Sequence, residues 1–200
     1  METAVIGYPR IGTLRELKFA SEKYFRNEIT EEELKETAAQ LKKSRWERQK
    51  RSKIDHISSN DFSYYDMTLD AAVMFGIIPE RYKELKLSEL DTYFAMARGY
   101  QGQAGDVKAL AMKKWFNTNY HYIVPEIEDD TVITLCPEKL LEEYEEAKDT
   151  LWQVLQLRAE SVLGQLDGTI PSTDDGQQNA QDTLIDGSAI DLSVMGEFNH

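Results

Sequence analysis

Cysteine is nearly absent: one residue, Cys136, in a chain of 200. That excludes an intrachain disulfide and makes a reducing cytoplasm the expected compartment. Histidine is scarce as well, with only His56, His121 and His200. A structural zinc site wants four Cys/His-type ligands and a catalytic one about three. No pair of these residues has ligand spacing, so no metal site is expected in this chain. His121 alternates with Tyr120 and Tyr122 and reads as a strand wall residue, and Cys136 beside Pro137 as an ordinary cysteine. No apolar run approaches the roughly 18 residues of a membrane span. The segment Met1-Glu2-Thr3-Ala4-Val5 has neither a basic start nor a long apolar stretch, so no secretory signal is expected. Neither phosphate-binding glycine fingerprint occurs; "RGYQGQAGD" (98–106) reads as a mobile loop. No Gly-x-Ser-x-Gly elbow occurs either.

Positive charge is the other deficit. The net charge is −13, which repels phosphate backbones and argues against a nucleic-acid partner. The deficit is uneven. Residues 1–150 hold 22 basic and 28 acidic side chains, net −6, whereas residues 151–200 hold one basic and eight acidic, net −7. Eighteen aromatics lie in the first segment and two, Trp152 and Phe198, in the second. This sets an expected boundary near residue 150: a structured part at 1–150, then a divergent tail at 151–200 that starts helical and becomes largely unstructured over 165–190. A weak strand is possible at Leu184-Ile185 or Ile190–Val194.

Within the first part, Thr3–Gly7 reads as a short buried strand broken by Gly7 and Pro9. Leu14, Leu17, Ser21 and Tyr24 lie at helical spacing, predicting a helix from 14 to about 26. Thr30-Glu31-Glu32-Glu33 is a capping box. It opens a helix to about Lys50 whose many charges read as a solvated face. Lys53–Ile57 reads as a second strand and Met67–Phe75 as a helix, with Asp61 and Asp66 as candidate caps rather than catalytic groups. Ser88 can cap a helix that aligns Leu90, Phe94 and Ala97. "NYHYIVPEI" (119–127) is the clearest later strand, Val132–Leu135 a possible hairpin strand, and Pro137–Ala147 an amphipathic helix. Alternating strands and helices predict parallel pairing with helical crossovers. In such folds chemistry sits at the C-terminal strand ends, here "GYPR", "SSNDFS" and "PEI".

Against the acidic background two basic clusters stand out. Arg15 and Lys18 are three apart and share one face at the start of a helix. A helix N-terminus already favours anions. Lys113 and Lys114 precede Trp115 and Phe116 in "KKWFNTNYHY". Two readings remain open from the residues alone: separate surface clusters, or a joint site for a polyanion carrying carboxylates or phosphates.

"GYPRIGTLRELKFASEKYF", "SNDFSYYD", "SELDTYFAMARGYQG" and "MKKWFNTNYHYIVPE" occur in this order. Together they resemble the N-terminal part of cobalamin-independent methionine synthase, over roughly residues 4–148. The resemblance implies a fold built on (β/α)8 barrels, of which this chain would hold the first strands and helices: an α/β, partial TIM-barrel with an irregular acidic tail. It implies transfer of a methyl group from 5-methyltetrahydropteroyltriglutamate to homocysteine, giving methionine. The zinc that activates the homocysteine thiol belongs to a C-terminal barrel in that family, so no cofactor and no catalytic residue are expected here. The polyglutamylated methyl-folate is the implied partner, with a C-terminal barrel as a possible second. The folate-binding "RELK" of the family falls on Arg15, Glu16, Leu17 and Lys18. Its lysine before "WF" falls on Lys114, and its asparagine before "YH" on Asn119.

Two departures bear on that resemblance. Ser58 stands where the family usually has proline. After about Lys148 the expected buried strand is replaced by "DTLWQVLQLRAESVLGQLDGTIPS". Three or four strands cannot close an eight-stranded barrel. The expectation is an N-terminal fragment or truncated relative that binds the folate tail and does not turn over alone. The alternatives are a non-catalytic folylpolyglutamate-binding or interaction fragment, and a defective product.

Overall fold

The computed structural model describes residues 2–166, with side chains through Gln153. The chain divides between Leu151 and Trp152, and the architecture below is that of the first unit. The weak strands expected at 184–185 and 190–194 lie outside the described residues. So does the unstructured stretch expected over 165–190, apart from its first two residues, which end a helix.

Helix starts follow the local chemistry of the sequence. α1 spans Glu16–Phe25 and α2 spans Glu31–Arg51. The Thr30 capping box forms in full: the Thr30 hydroxyl accepts from Glu33 N at 3.2 Å, and Glu33 Oε2 accepts from Thr30 N at 2.7 Å. α3 (Met67–Met74) is capped by Asp66, and α5 (Glu89–Arg98) by Ser88, whose Oγ accepts from Asp91 N at 3.1 Å. A single turn, α4 (Glu80–Lys83), lies between them. α6 runs over Glu138–Leu166. No described helix is long and apolar enough to cross a membrane.

The core gathers where these helices meet. Leu17 from α1, Leu34 and Ala38 from α2, Leu69 from α3, Tyr82 from α4, Phe94 and Met96 from α5, and Phe62 from a loop are all buried. Phe94 packs edge-on against Phe25, ring centroids 4.8 Å apart, and Tyr24 donates its hydroxyl to Asp91 at 2.6 Å.

The strands differ from the sequence expectation. Among the described residues there are two two-stranded sheets, both antiparallel: β1 (Tyr100–Gly102) with β2 (Gly105–Val107), and β3 (Met112–Lys114) with β4 (His121–Ile123). The stretch 98–106, expected as a mobile loop, is thus a tight hairpin. The strand expected over 119–127 narrows to His121–Ile123 and pairs backwards with its neighbour. Thr3–Gly7 and Lys53–Ile57 form no ladder; one parallel bridge, Ala4 to His56, joins them. Asp55 explains part of this. Its carboxylate takes both the Thr3 amide at 2.7 Å and the Thr3 hydroxyl at 2.8 Å, so side-chain bonds replace backbone pairing. Ile6, expected in a buried strand, is fully exposed at 104%. A parallel strand needs cover on both faces, and the face that carries Ile6 has none.

Val132–Leu135 is not a strand either. Thr134 N donates to Phe75 O at 3.1 Å and Cys136 N to Met74 O at 2.7 Å. The segment thereby satisfies carbonyls that the end of α3 leaves unpaired. Gly76 permits this approach: its φ is +67°, and a Cβ there would stand 3.1 Å from the Thr134 carbonyl oxygen.

The charges of α2 are not all on a solvated face. Lys42, Arg45 and Gln49 are buried beside Trp46. Lys42 pairs with Glu146 of α6, and Arg45 pairs with Asp61.

A second buried charge cluster surrounds Lys139. Its ammonium reaches Glu143 at 3.2 Å, Asp70 at 3.7 Å, Asn60 Oδ1 at 3.2 Å and the Phe62 carbonyl at 2.9 Å. Burial raises the pKa of both carboxyls above the ordinary range, opposed in part by Lys139 and, for Glu143, also by Lys42. The folded state therefore holds these protons more tightly than the unfolded chain. Stability from this pair falls as pH rises from the ordinary carboxylate pKa through the raised folded values. The lowered carboxyls Glu28, Glu31, Asp55 and Glu126 act in the opposite sense, losing their contribution only as pH falls below the ordinary range. Denaturant unfolding across pH should therefore peak on the mildly acidic side of neutrality. Glu143→Gln should flatten the decline above that peak; an unchanged profile would show that Glu143 titrates normally in the fold.

Candidate functional site

The first basic cluster is built on the turn that opens α1. Gly12 sits at φ +88°, and a Cβ there would collide with the Glu16 carboxylate and with Leu41. The turn closes by Arg15 N donating to Gly12 O at 3.3 Å and Leu17 N to Ile11 O at 3.1 Å. Glu16 Oε2 accepts from Leu14 N at 3.0 Å, so its charge is spent on the amides of this helix start. Leu17 is 1% exposed and belongs to the core. Arg15 occupies the N-cap with left-handed backbone, φ 64° and ψ 33°. Its side chain is exposed and has no partner among the described residues. Lys18 is half-exposed; it pairs loosely with Glu22 at 3.6 Å and lies 5.7 Å from the centre of the Phe19 ring.

The second cluster is the β3–β4 hairpin. Lys113 faces Tyr122 across it and Lys114 faces His121. The turn closes through Trp115 N donating to Tyr120 O at 2.8 Å and Thr118 N to Trp115 O at 3.1 Å. Asn119 lies in this turn, its carbonyl 3.0 Å from His121 Nδ1. Trp115 stacks edge-on with Phe116 and with Tyr122. Phe116 is 81% exposed and left-handed at φ 50°. Lys113 and Lys114 have exposed side chains with no partner among the described residues.

Among the described residues five non-glycine positions have positive φ: Arg15, Asn27, Lys53, Lys86 and Phe116. Asn27 and Lys53 follow α1 and α2 directly in Schellman bonding: Glu28 N donates to Lys23 O and Ile54 N to Gln49 O. Lys86 follows α4 and donates to Lys83 O at 3.1 Å. These three end helices, where left-handed residues are usual. Arg15 and Phe116 do not, and each costs about 1–2 kcal/mol of local strain. They fall in the two basic clusters, at Arg15 and Lys18 and at Lys113 and Lys114.

Asp66 holds the hairpin to the rest of the unit. Its Oδ2 accepts from Leu69 N at 3.0 Å and from Ile123 N at 3.1 Å, and its Oδ1 from the Tyr120 hydroxyl at 2.6 Å. Burial, then the bond to Asp66, pushes the Tyr120 hydroxyl up to about 12. Arg10 ties two of the expected strand ends together, Nη1 donating to Tyr64 O at 2.9 Å and Ser63 O at 3.4 Å. The third, "PEI", does not join them; Glu126 instead binds Arg81, at 2.9 Å through Nη2. Thus Arg15, Glu16, Leu17 and Lys18 form one group, and Lys114 and Asn119 another. Among the described residues no hydrogen bond or ion pair runs between the groups. Arg10, Asp66 and Tyr120 were not singled out as site residues. Asp66 leaves a sequence signal as a helix cap, and Arg10 as the last residue of the expected strand end "GYPR".

Two concavities are found among the described residues. One of about 680 Å³ is lined by Arg81, Glu84, Asp106, Lys108 and Glu126 among others, and holds none of the candidate residues. Another, of about 400 Å³ on the α1–α2 face, includes Glu16, Glu33 and Glu36, an acidic lining unsuited to an anion.

Residues 2–160 match the family described as cobalamin-independent synthase, N-terminal domain, and the chain belongs to that family. Among curated proteins it is 61% identical over 148 residues to the 5-methyltetrahydropteroyltriglutamate–homocysteine methyltransferase of Lactococcus lactis subsp. cremoris (strain MG1363). It is 58% identical over 149 residues to the same-named protein of Streptococcus thermophilus and 55% over 149 to that of Streptococcus pneumoniae. Each match covers 74% of this chain and 20% of the relative, so the chain spans about a fifth of the length of these proteins.

Among the described residues the zinc implied by the resemblance finds no fitting donor set. His56 Nε2 engages Glu2 at 3.0 Å, His121 Nδ1 faces the Asn119 carbonyl, and the Cys136 thiol lies 3.7 Å from Thr134 O. These three donors sit in separate segments. Among the described residues no group of three or more His, Cys, Asp or Glu could hold a metal ion.

Proposed function

We propose that this chain binds the glutamate tail of a polyglutamylated methyl-folate, with Arg15, Lys18, Lys114 and Asn119 as the contacting side chains. In this reading Glu16 and Leu17 shape the turn that presents the cations. The observation that carries the reading is the pair of exposed, strained segments, each bearing a cation with no side-chain partner, on a chain of net charge −13. Guanidinium and ammonium groups bind carboxylates by charge-assisted hydrogen bonds. A triglutamate offers several carboxylates in a row, which suits two separate cationic segments better than one compact anion would. The names of the relatives supply the ligand class: a triglutamylated pterin methyl donor, with homocysteine as acceptor.

The test is titration with 5-methyltetrahydropteroyltriglutamate. Lys18→Ala with Lys114→Ala is expected to raise Kd about tenfold or more, roughly 1.4 kcal/mol. Wild-type affinity should fall with added salt, because the cations are exposed. Equal affinity for the two proteins would remove the anion site.

Binding and chemistry separate in this reading. Methyl transfer to homocysteine would need a zinc-bearing barrel of the kind the family carries C-terminal to this region, in a cytoplasmic setting. The segments joined at Ala4 and His56 would be the first two strands of a (β/α)8 barrel, within a part covering 1–150 and followed by a distinct tail at 151–200. The purified chain is expected to bind no stoichiometric zinc and to form no methionine. Metal analysis together with a methionine-formation assay checks this, and a zinc-loaded, active chain would overturn it.

A further inference from the structure

We infer that Tyr120 is a positioning residue for the anion site: its hydroxyl bond to Asp66 sets the hairpin turn so that Lys114 and Asn119 face the same ligand carboxylates. This rests on the reading given under Proposed function and adds a residue that does not touch the ligand.

The geometry runs through one side chain. The Tyr120 backbone carbonyl accepts from Trp115 N at 2.8 Å, closing the turn one residue after Lys114. Its hydroxyl donates to Asp66 Oδ1 at 2.6 Å, and Asp66 Oδ2 takes the amide of Ile123 at 3.1 Å. Tyr120 therefore fixes the turn internally by its backbone and externally by its side chain. Asn119 precedes it, and Lys114 pairs in register with His121, which follows it. Asp66 cannot drift, because its Oδ2 also caps α3 through Leu69 N at 3.0 Å. The turn itself has few other anchors. Trp115, Phe116 and Tyr120 are exposed, and Thr118 bonds only within the turn. Without the hydroxyl, the register of β3 and β4 remains held by Ile123, while the turn loses its tie to α3. A bond to a carboxylate fixes direction as well as distance, and tail binding depends on direction because two side chains must reach one chain of carboxylates.

Asp66 itself is too deeply built in for a clean test, so the variant is Tyr120→Phe, which keeps the ring. Wild type, Tyr120→Phe, Lys114→Ala and the double variant are titrated with the triglutamyl and monoglutamyl forms of 5-methyltetrahydrofolate. Amide exchange is followed at Trp115 and Ile123. Tyr120→Phe is expected to weaken triglutamate binding about fivefold, to leave monoglutamate binding unchanged, and to speed exchange at Trp115 more than at Ile123. The double variant should lose less affinity than the sum of the two single losses, since Tyr120 acts in part through Lys114. Additive losses in the double variant, or unchanged triglutamate affinity in Tyr120→Phe when Lys114→Ala weakens it, would overturn the positioning role. No effect of Lys114→Ala, or no preference for the triglutamate, would overturn the tail-binding reading and the inference with it.

Discussion

Asp66→Ala is expected to destabilise the chain by about 3–5 kcal/mol, a large fraction of the stability of an ordinary domain. The carboxylate is buried and accepts three hydrogen bonds, from Leu69 N, Ile123 N and the Tyr120 hydroxyl. Loss of an N-cap alone costs about 1 kcal/mol. The remainder comes from Ile123, whose side chain is 1% exposed and whose amide would be left without an acceptor in the core. Asp66→Asn keeps an acceptor oxygen and should cost markedly less. Urea unfolding of the three proteins checks the order. If alanine and asparagine cost the same, the charge matters and the geometry of the three bonds does not. If alanine costs only about 1 kcal/mol, Asp66 is a helix cap and nothing more.

Asp66 also shows which features were legible in the sequence. A cap is a contact over three residues, so Thr30, Asp66 and Ser88 can be read as caps from spacing alone, and all three are; Asp61, expected as a cap too, is not one, because its carboxylate is taken by Arg45 and Ser58. The role of Asp66 in holding Ile123 spans 57 residues and leaves no local trace. Strands failed for the same reason. "TAVIG" and "KIDHI" have strand-like composition, but a strand exists only by its partners. Here Asp55 diverts the Thr3 amide and nothing covers Ile6. The hairpin at 100–107 was missed because its glycines resemble those of a loop; Gly105 at φ +148° is what allows the tight return.

The candidate site divides along the same line. Helical spacing predicts Arg15 and Lys18 on one face of the helix, but Arg15 is the left-handed N-cap outside α1 and only Lys18 lies on the helix; Lys114 beside Trp115 is adjacent in sequence. The left-handed backbone at Arg15 and Phe116, and the tie from Tyr120 to Asp66, are tertiary facts. Exposure separates the members of "RELK": the two cations point outward, while Glu16 and Leu17 serve the fold. No composition argument could have made that separation, because all four residues are good helix formers.

Arg45 carries the second large effect. Read from periodicity, it belonged to the solvated face of α2; it is 3% exposed and paired with Asp61. The reason is local to a loop that the helix periodicity does not describe. Trp46 donates its indole N–H to Ser58 O at 3.0 Å, and Ser58 Oγ donates to Asp61 at 2.9 Å, so the loop folds its carboxylate onto the helix. The guanidinium also lies 5.6 Å from the Tyr8 ring centre and 5.7 Å from that of Phe62. Its Nε and Nη1 have no hydrogen-bond partner among the described residues. A buried ion pair with unmet donors recovers its desolvation cost poorly, yet removing one partner strands the other charge. Arg45→Met alone should therefore cost about 3–5 kcal/mol, because Asp61 stays charged with only the Ser58 bond. Arg45→Met combined with Asp61→Asn should cost only about 1–2 kcal/mol: both charges are gone, and the asparagine oxygen still accepts from Ser58. Denaturant unfolding of the singles and the double gives the coupling directly. A double variant as unstable as Arg45→Met would mean that the pair holds the loop by its own attraction. A double variant more stable than the single means that the main penalty is the charge left behind.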